Sequence, residues 1–418
     1  MSGPVDPLAP FGRVTGRASL TVLRQGGEES ASFDELLERG RRGATRLAAR
    51  GVGPGDSVAI LGEPSVAFHV GVLSAWAAGA ACLPLPPPAP LELPASWAER
   101  TGRVLATAGA RVVVAPSGGA PADVPVPVVA AEDLDEGPGA TPATPDDGDP
   151  GLILLTSGSS SEPKGVVISF RAVAARAESQ LLEGLDDDRD RFLTWLPPAW
   201  SGGFNAQLLR PLASGVSSVV LPTGAVLEHP LRWLAEIGRW RATMSGCGTY
   251  GYGLVAGRLG HEPAPDVDLS CWTHVWSAGE RIDPDTIGRF LALAAPLGLD
   301  PRSFQPRYSL SECSTVASRP AGAGLAVDAV DAGGLADGDA RPSTGADAAR
   351  FVSNGPPLRG VELWIEGPDG ASLPERGVGE VRVRCPMMLD AYLGDPERTA
   401  QALAGGWLRT GDLGYVAD

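Results

Sequence analysis

Apolar residues along this chain fall into short runs that alternate with stretches of helical period. Ser32-Phe33-Asp34-Glu35 has the Ser-x-x-Glu spacing of a capping box, and the apolar positions after it keep a helical period up to Gly51. This predicts a helix over 33–50. Pro54-Gly55-Asp56 signals a turn, and Ser57-Val58-Ala59-Ile60-Leu61 reads as a strand. The most apolar stretch, 66–83, contains His69, Ser74 and two glycines and runs into prolines, so it predicts a buried helix followed by a strand rather than a membrane span. Further buried strands are expected at 111–115, 152–156, 217–221 and 273–276, and helices at 170–183, 230–240 and 284–295. Such alternation implies α/β layers with substantially parallel sheets. After Phe351 the segments 361–366 and 379–385 alternate as strands around the turn Gly367-Pro368-Asp369-Gly370, so a small β-rich subdomain closes the chain. The stretch 322–350, rich in Ala, Gly and Asp and poor in apolar periodicity, predicts a long surface insertion.

The 418 residues suffice for two or three packed subdomains with sizeable cores. A hydrophobic content of 43% and a charged content of 20% exclude a disordered or fibrous chain. The 55 glycines and 39 prolines add long loops, notably over 84–94 and 115–151. A net charge of −16 argues against nucleic acid or an anionic membrane as partner, so an anionic ligand must meet a local basic or backbone-amide pocket. The five cysteines are odd in number and widely spaced, which suits reduced packing thiols in a cytoplasmic protein. His69, His229, His261 and His274 form no triad or metal spacing, and structural roles are expected for them. Residues 1–10 lack a signal-peptide profile, so no export is expected.

Chemistry enters where the strand 152–156 opens into Thr156-Ser157-Gly158-Ser159-Ser160-Ser161-Glu162-Pro163-Lys164-Gly165. Small hydroxyl residues and glycine let backbone N–H groups approach phosphate oxygens, and a lysine adds positive charge. This is not a Walker A loop, because Pro163 precedes Lys164 and Gly165 follows it, which disfavours a P-loop kinase or GTPase. The loop resembles the T-S-G-[ST]-[ST]-G-x-P-K-G signature of the adenylate-forming superfamily of acyl-CoA synthetases, adenylation domains, luciferases and fatty acyl-AMP ligases. Ser161 stands where that signature has glycine.

Other segments resemble the same superfamily in the same order. Ser277-Ala278-Gly279-Glu280 is similar to the segment bordering the adenine, which implies adenine contacts for Ala278, Gly279 and Glu280. Tyr308-Ser309-Leu310-Ser311-Glu312 is similar to Y-G-x-[TSA]-E. That resemblance implies that Tyr308 stacks on adenine beside Ser309, Ser311 meets phosphate and Glu312 holds Mg²⁺. Trp407 to Asp412 is similar to W/Y-x-R-T-G-D, with Asp412 on the ribose. The chemistry agrees residue by residue: a flat ring suits a purine, one carboxylate a hard divalent ion, and another a vicinal diol. The phosphates would fall to Thr156, Ser157, Gly158, Ser159, Ser160 and Lys164, with Lys164, Ser311 and Glu312 as the catalytic set.

Within the superfamily the likeness is to fatty acyl-AMP ligases, carried by Trp195-Leu196-Pro197, by Pro230 to Leu234, and by the region from Trp276 to Thr315. The resemblance implies two packed αβα subdomains with mixed or parallel sheets plus a small distorted β-barrel. These would span 1–185, with the phosphate loop at 155–165; 186–350, with the acyl pocket and adenine segments; and 351–418, ending at the ribose segment. It also implies ATP and Mg²⁺ as cofactors, a carboxylic acid as substrate, and a carrier-protein thiol as acceptor; free coenzyme A is the alternative acceptor, and a non-catalytic nucleotide-binding or acyl-binding module the alternative of another kind. The acyl site departs from the pattern. Pro198-Ala199-Trp200-Ser201-Gly202-Gly203-Phe204 replaces L-Y-H-D-M-G-L, and Ser245-Gly246-Cys247-Gly248-Thr249-Tyr250 replaces S-G-G-P-N-F. The substrate contacts implied are Trp200, Ser201, Gly203, Gly246, Cys247 and Tyr250, with the Trp200 indole either narrowing the channel or filling a core gap. Ser201 at the place where peptide-synthetase domains keep an aspartate for the substrate ammonium points to a non-amino acid. Family members continue past the position of Asp418 into a mobile C-terminal domain carrying a further lysine, so the stretch up to Asp418 is expected to turn over slowly alone.

Overall fold

The computed structural model describes residues 3–12, 17–24, 26–88, 92–117, 119, 124–136, 143–156, 164–179, 185 and 188–417. The chain divides into two compact units, 1–228 with 389–395, and 229–388 with 396–418.

The first unit carries a seven-stranded sheet whose central strands, Ser57–Leu61, Ala81–Leu85 and Ala110–Ala115, pair in parallel. The Ser32 hydroxyl accepts from the Glu35 N–H at 3.1 Å, so the capping box starts the helix Phe33–Ala48 as its spacing predicts. That helix packs on Val66–Ala77, and two glycines set the distance. A Cβ on Gly40 would lie 2.6 Å from Leu73 Cβ, and one on Gly43 would lie 2.0 Å from Ser74 Oγ. Leu61, Leu83, Leu85, Trp97, Leu105, Val113 and Ile153 fill one core. Trp76 stacks on Phe11 at 5.5 Å and donates to the Gly151 carbonyl at 2.7 Å, which satisfies its indole N–H inside the protein. A second set of strands in this unit runs Phe192–Thr194, Ser218–Val220, Ser19–Arg24, with Gly27–Ser32 antiparallel at the edge. The helix Pro94–Thr107 was not predicted; its buried Trp97, Thr101 and Leu105 carry the four-residue spacing that could have revealed it.

In the second unit Met244–Cys247, His274–Ser277 and Phe304–Leu310 pair in parallel, and Ser314–Ser318 returns antiparallel. Helices Leu231–Trp240, Thr249–Leu259 and Pro284–Ala294 bring Trp233, Tyr252 and Phe290 into an aromatic cluster with Trp272, which precedes the strand His274–Ser277, and Phe304, which opens the strand Phe304–Leu310. The closing strands Glu362–Glu366, Gly379–Arg384 and Leu408–Gly414 form an open three-stranded antiparallel sheet, and no closed barrel appears among the described residues.

The expected loose insertion at 322–350 is instead built: Val327–Val330 pairs with Ala349–Val352, and Asp331 caps a short helix by accepting from Gly334 N at 2.6 Å. Arg376 bonds Asp328 at 3.1 Å and the Ala340 carbonyl at 2.9 Å. Polar bonds rather than an apolar stripe order this segment, which is why hydrophobic periodicity missed it.

All five cysteines are buried, and none is in a disulfide. Among the described residues no helix is long and apolar enough to cross a membrane.

Candidate functional site

In the first unit Thr156 ends the strand Pro150–Thr156, and Lys164 opens the antiparallel strand Lys164–Ser169; the two residues are register partners, with Thr156 Oγ1 3.5 Å from the Lys164 carbonyl. Thr156 and Lys164 therefore form the base of a hairpin. Ser157, Gly158, Ser159, Ser160 and the variant Ser161 lie outside the described residues. The return strand went unpredicted, although Val166-Val167-Ile168 has strand character. It is held from its other side by Ala391–Tyr392 and by Asp390, which accepts from Ser169 N at 2.7 Å.

The Trp195-Leu196-Pro197 segment of this unit folds onto Gly203. A Cβ there would lie 1.8 Å from the Pro197 carbonyl oxygen, so only glycine permits the contact. Gln207 Nε2 donates to the Leu196 carbonyl at 2.5 Å, and Asn205–Leu209 is a π-helical turn, a form concentrated at functional sites. Ser201 starts the preceding helical turn and is half-buried. Trp200 is 60% exposed, so its indole fills no core gap.

The second unit brings together residues far apart in sequence. Tyr308 sits on Phe304–Leu310 and Asp412 on Leu408–Gly414, and the phenol donates to Asp412 Oδ2 at 2.7 Å. Burial, reinforced by this bond, pushes the Tyr308 phenol well above its ordinary range. Asp412 is exposed, and its stretch of the strand is held by Gly411 N donating to Glu380 Oε1 at 3.2 Å and Asp412 N donating to Thr410 Oγ1 at 3.1 Å. Ser309 lies next to Tyr308 at a register shift, and Ser311 and Glu312, both half-buried, occupy the turn into Ser314. Ser314 has φ 61, a left-handed conformation that a serine adopts only at some cost and that reverses the chain there.

Ala278, Gly279 and Glu280 follow the strand His274–Ser277, with Gly279 at φ 88. Glu280 Oε1 accepts from Tyr250 N at 2.9 Å and so caps the helix Thr249–Leu259, whose own N-cap, Gly248, has no side chain to do it. A Cβ on Gly248 would fall 2.3 Å from that oxygen. The family resemblance implied only an adenine contact for Glu280, and its capping of this helix went unpredicted. Cys247 is buried, and burial pushes its thiol well above the ordinary value. Gly246 lies against Trp276: a Cβ there would meet the Trp276 carbonyl oxygen at 2.1 Å and its ring at 2.4 Å. Tyr250 is exposed.

These donor sets fit the implied ligands. A half-buried ring beside an exposed carboxylate, on a strand paired with the one that leads to Gly279, suits a nucleoside. Among the described residues no three His, Cys, Asp or Glu gather as a metal cage. Magnesium does not need one, because it commonly takes one or two protein carboxylates together with substrate phosphates and water.

Residues 13–393 match the AMP-binding enzyme family. The chain is a member of that family. Among its relatives, a putative acyl-CoA synthetase of Caulobacter vibrioides is 32% identical over 97% of this chain and 73% of its own length. A putative fatty-acid–CoA ligase, FadD25 of Mycobacterium tuberculosis, is 26% identical over 94% of this chain and 72% of its own. A solved structure from work on fatty acyl-adenylate ligases of E. coli and L. pneumophila covers 100% of this chain and 78% of its own, with a TM-score of 0.89 at 28% identity. The fold of this AMP-binding enzyme is accordingly the large N-terminal domain of the adenylate-forming ligases, and the chain is close to the fatty acyl-AMP ligases. Membership gives the Tyr308–Asp412 pair a context that spacing alone could not.

Proposed function

We propose that this enzyme activates a non-amino carboxylic acid with ATP as the acyl-AMP and passes the acyl group to the phosphopantetheine thiol of a carrier protein. The observation that carries the reading is the 2.7 Å bond between Tyr308 and Asp412, which sets an aromatic ring beside a carboxylate as a nucleoside requires. In the first step a carboxylate oxygen of the acid attacks the α-phosphorus, and the bond to pyrophosphate breaks. In the second, the thiolate attacks the acyl carbon and AMP leaves. Catalysis of the first step rests on positioning and charge stabilisation. Tyr308 stacks on the adenine, bordered by Ala278, Gly279 and Glu280, and Asp412 accepts from the ribose hydroxyls. Lys164, with Thr156 and the loop after it, holds the β- and γ-phosphates, Ser311 a phosphate oxygen, and Glu312 the magnesium. Gly203, Ser201, Trp200, Gly246, Cys247 and Tyr250 belong to the acyl side.

Mass spectrometry of adenylates formed from a mixed panel of carboxylic acids tests the first step, and absence of any acyl-AMP would overturn it. Thioester formation on carrier protein against free coenzyme A tests the second. The names of the Caulobacter and FadD25 relatives favour coenzyme A as the competing acceptor, and preferential loading of coenzyme A would replace the carrier-protein reading.

A further inference from the structure

Gly246, Trp276 and Gln305 are lateral partners on adjacent strands of the second unit, so they stand on one face of the sheet, and Arg307, two residues beyond Gln305, shares it. The Trp276 ring occupies the space that a side chain at Gly246 would need. The Arg307 guanidinium lies 5.7 Å from the centre of that ring. Arg307 is 7% exposed. Among the described residues its one hydrogen bond runs from Nη2 to Gln305 Oε1 at 3.3 Å, a neutral acceptor, and Nε has none.

A buried guanidinium needs a counter-charge and acceptors for its fork of N–H groups. The chain supplies a counter-charge to Arg382, which is buried and bonds Glu366 Oε2 through Nε at 2.8 Å, although its Nη1 finds no acceptor among the described residues. For Arg307 the described residues supply no counter-charge and one neutral acceptor, Gln305. An unsatisfied fork beside a glycine of the acyl segment is the arrangement of a receptor whose counter-ion arrives with the ligand.

We infer that Arg307, aided by Gln305, binds a second anionic group of the acid, so that this enzyme activates dicarboxylic acids or acids with an equivalent terminal anion. The inference rests on the acyl-activating reading above. The carboxylate that reacts stays at the nucleotide, while the second one forms N–H···O bonds with the Arg307 fork along the Trp276 face.

Isothermal titration of the protein with 5′-O-(N-acyl)sulfamoyladenosines separates the two readings. The probes are succinyl, adipoyl and suberoyl compounds against their methyl-ended butanoyl, hexanoyl and octanoyl counterparts, with adipamoyl as the uncharged isostere. At least one diacid probe is expected to bind about tenfold or more tighter than its methyl-ended partner, the scale of a hydrogen bond to a charged group. The adipamoyl compound should lose that advantage if adipoyl shows it, Arg307→Met should bring the ratio close to one, and Arg307→Lys should restore part of it. Circular dichroism and unfolding midpoints establish that the variants are folded. Equal or tighter binding of every methyl-ended probe, or a diacid preference that survives Arg307→Met, overturns the inference and leaves acyl activation standing. Binding of none of the probes overturns both.

Discussion

Replacing Arg307 with methionine should stabilise the protein. Burial lowers the Arg307 pKa from its ordinary strongly basic value to about 10, which at about 1.4 kcal/mol per pH unit is a penalty of about 3 kcal/mol on the charged side chain. Below pH 10 both the folded and the unfolded chain carry the charge, so the whole penalty is present at neutral pH. It fades as pH rises through about 10, where the folded protein releases the proton first. Against this stand the bond to Gln305, worth about 1 kcal/mol, and the Trp276 contact, worth about 0.5 kcal/mol at its distance. Methionine keeps the unbranched stem that packs along the indole. The net gain is therefore about 1–2 kcal/mol, read as a higher urea midpoint at pH 7 and a rise of about 2–4 °C per kcal/mol in thermal unfolding of a unit this size. The gain should shrink when the urea series is repeated near pH 10. A lower midpoint for Arg307→Met at pH 7 would refute the reasoning, since it would mean that the guanidinium has a stabilising partner in the protein. A stabilising substitution at this position is also what a residue kept for ligand binding predicts.

Asp412→Ala removes the carboxylate proposed for the ribose and should weaken AMP binding about tenfold or more; calorimetry showing less than about a twofold change would count against that role. Glu280→Ala strips the cap from the helix Thr249–Leu259 and should cost about 1 kcal/mol in urea unfolding, and an unchanged midpoint would mean that Tyr250 N finds another acceptor. Tyr252 is buried, donates to the Trp276 carbonyl at 2.7 Å and has its phenol pKa raised well above the ordinary value. The unfolded chain ionises this phenol above about pH 10 while the folded protein keeps the proton, so stability is full below about pH 10 and falls beyond it. Tyr252→Phe should flatten that fall in urea midpoints taken between about pH 8 and 11, and an identical slope for the variant would assign the alkaline loss to other groups.

Local patterns were enough for much of the scaffold. The Ser32–Glu35 box, the glycine and proline turns and the runs of β-branched residues place the helix Phe33–Ala48 and the strands Ser57–Leu61, Ala110–Ala115 and Pro150–Thr156, because each is decided by bonds within a few residues. The resemblance in motif order implied that Tyr308 and Asp412 share one ligand, and the structure joins the two side chains by a hydrogen bond. What sequence could not supply came from residues distant along the chain. The segment 322–350 is ordered by Asp328, Asp331 and Arg376, whose partners only folding brings near. The charge balance of the chain gives no sign that Arg307 lacks a partner, because an arginine's partners depend on which strand faces it. Glu280 as a helix cap, Gly203 against the Pro197 carbonyl and Gly246 beneath Trp276 are decided in the same way. Secondary structure and residue chemistry follow from short-range sterics and hydrogen bonding that the sequence states directly. The space left for an acyl group and the charges that face it depend on long-range packing, which only the tertiary structure decides.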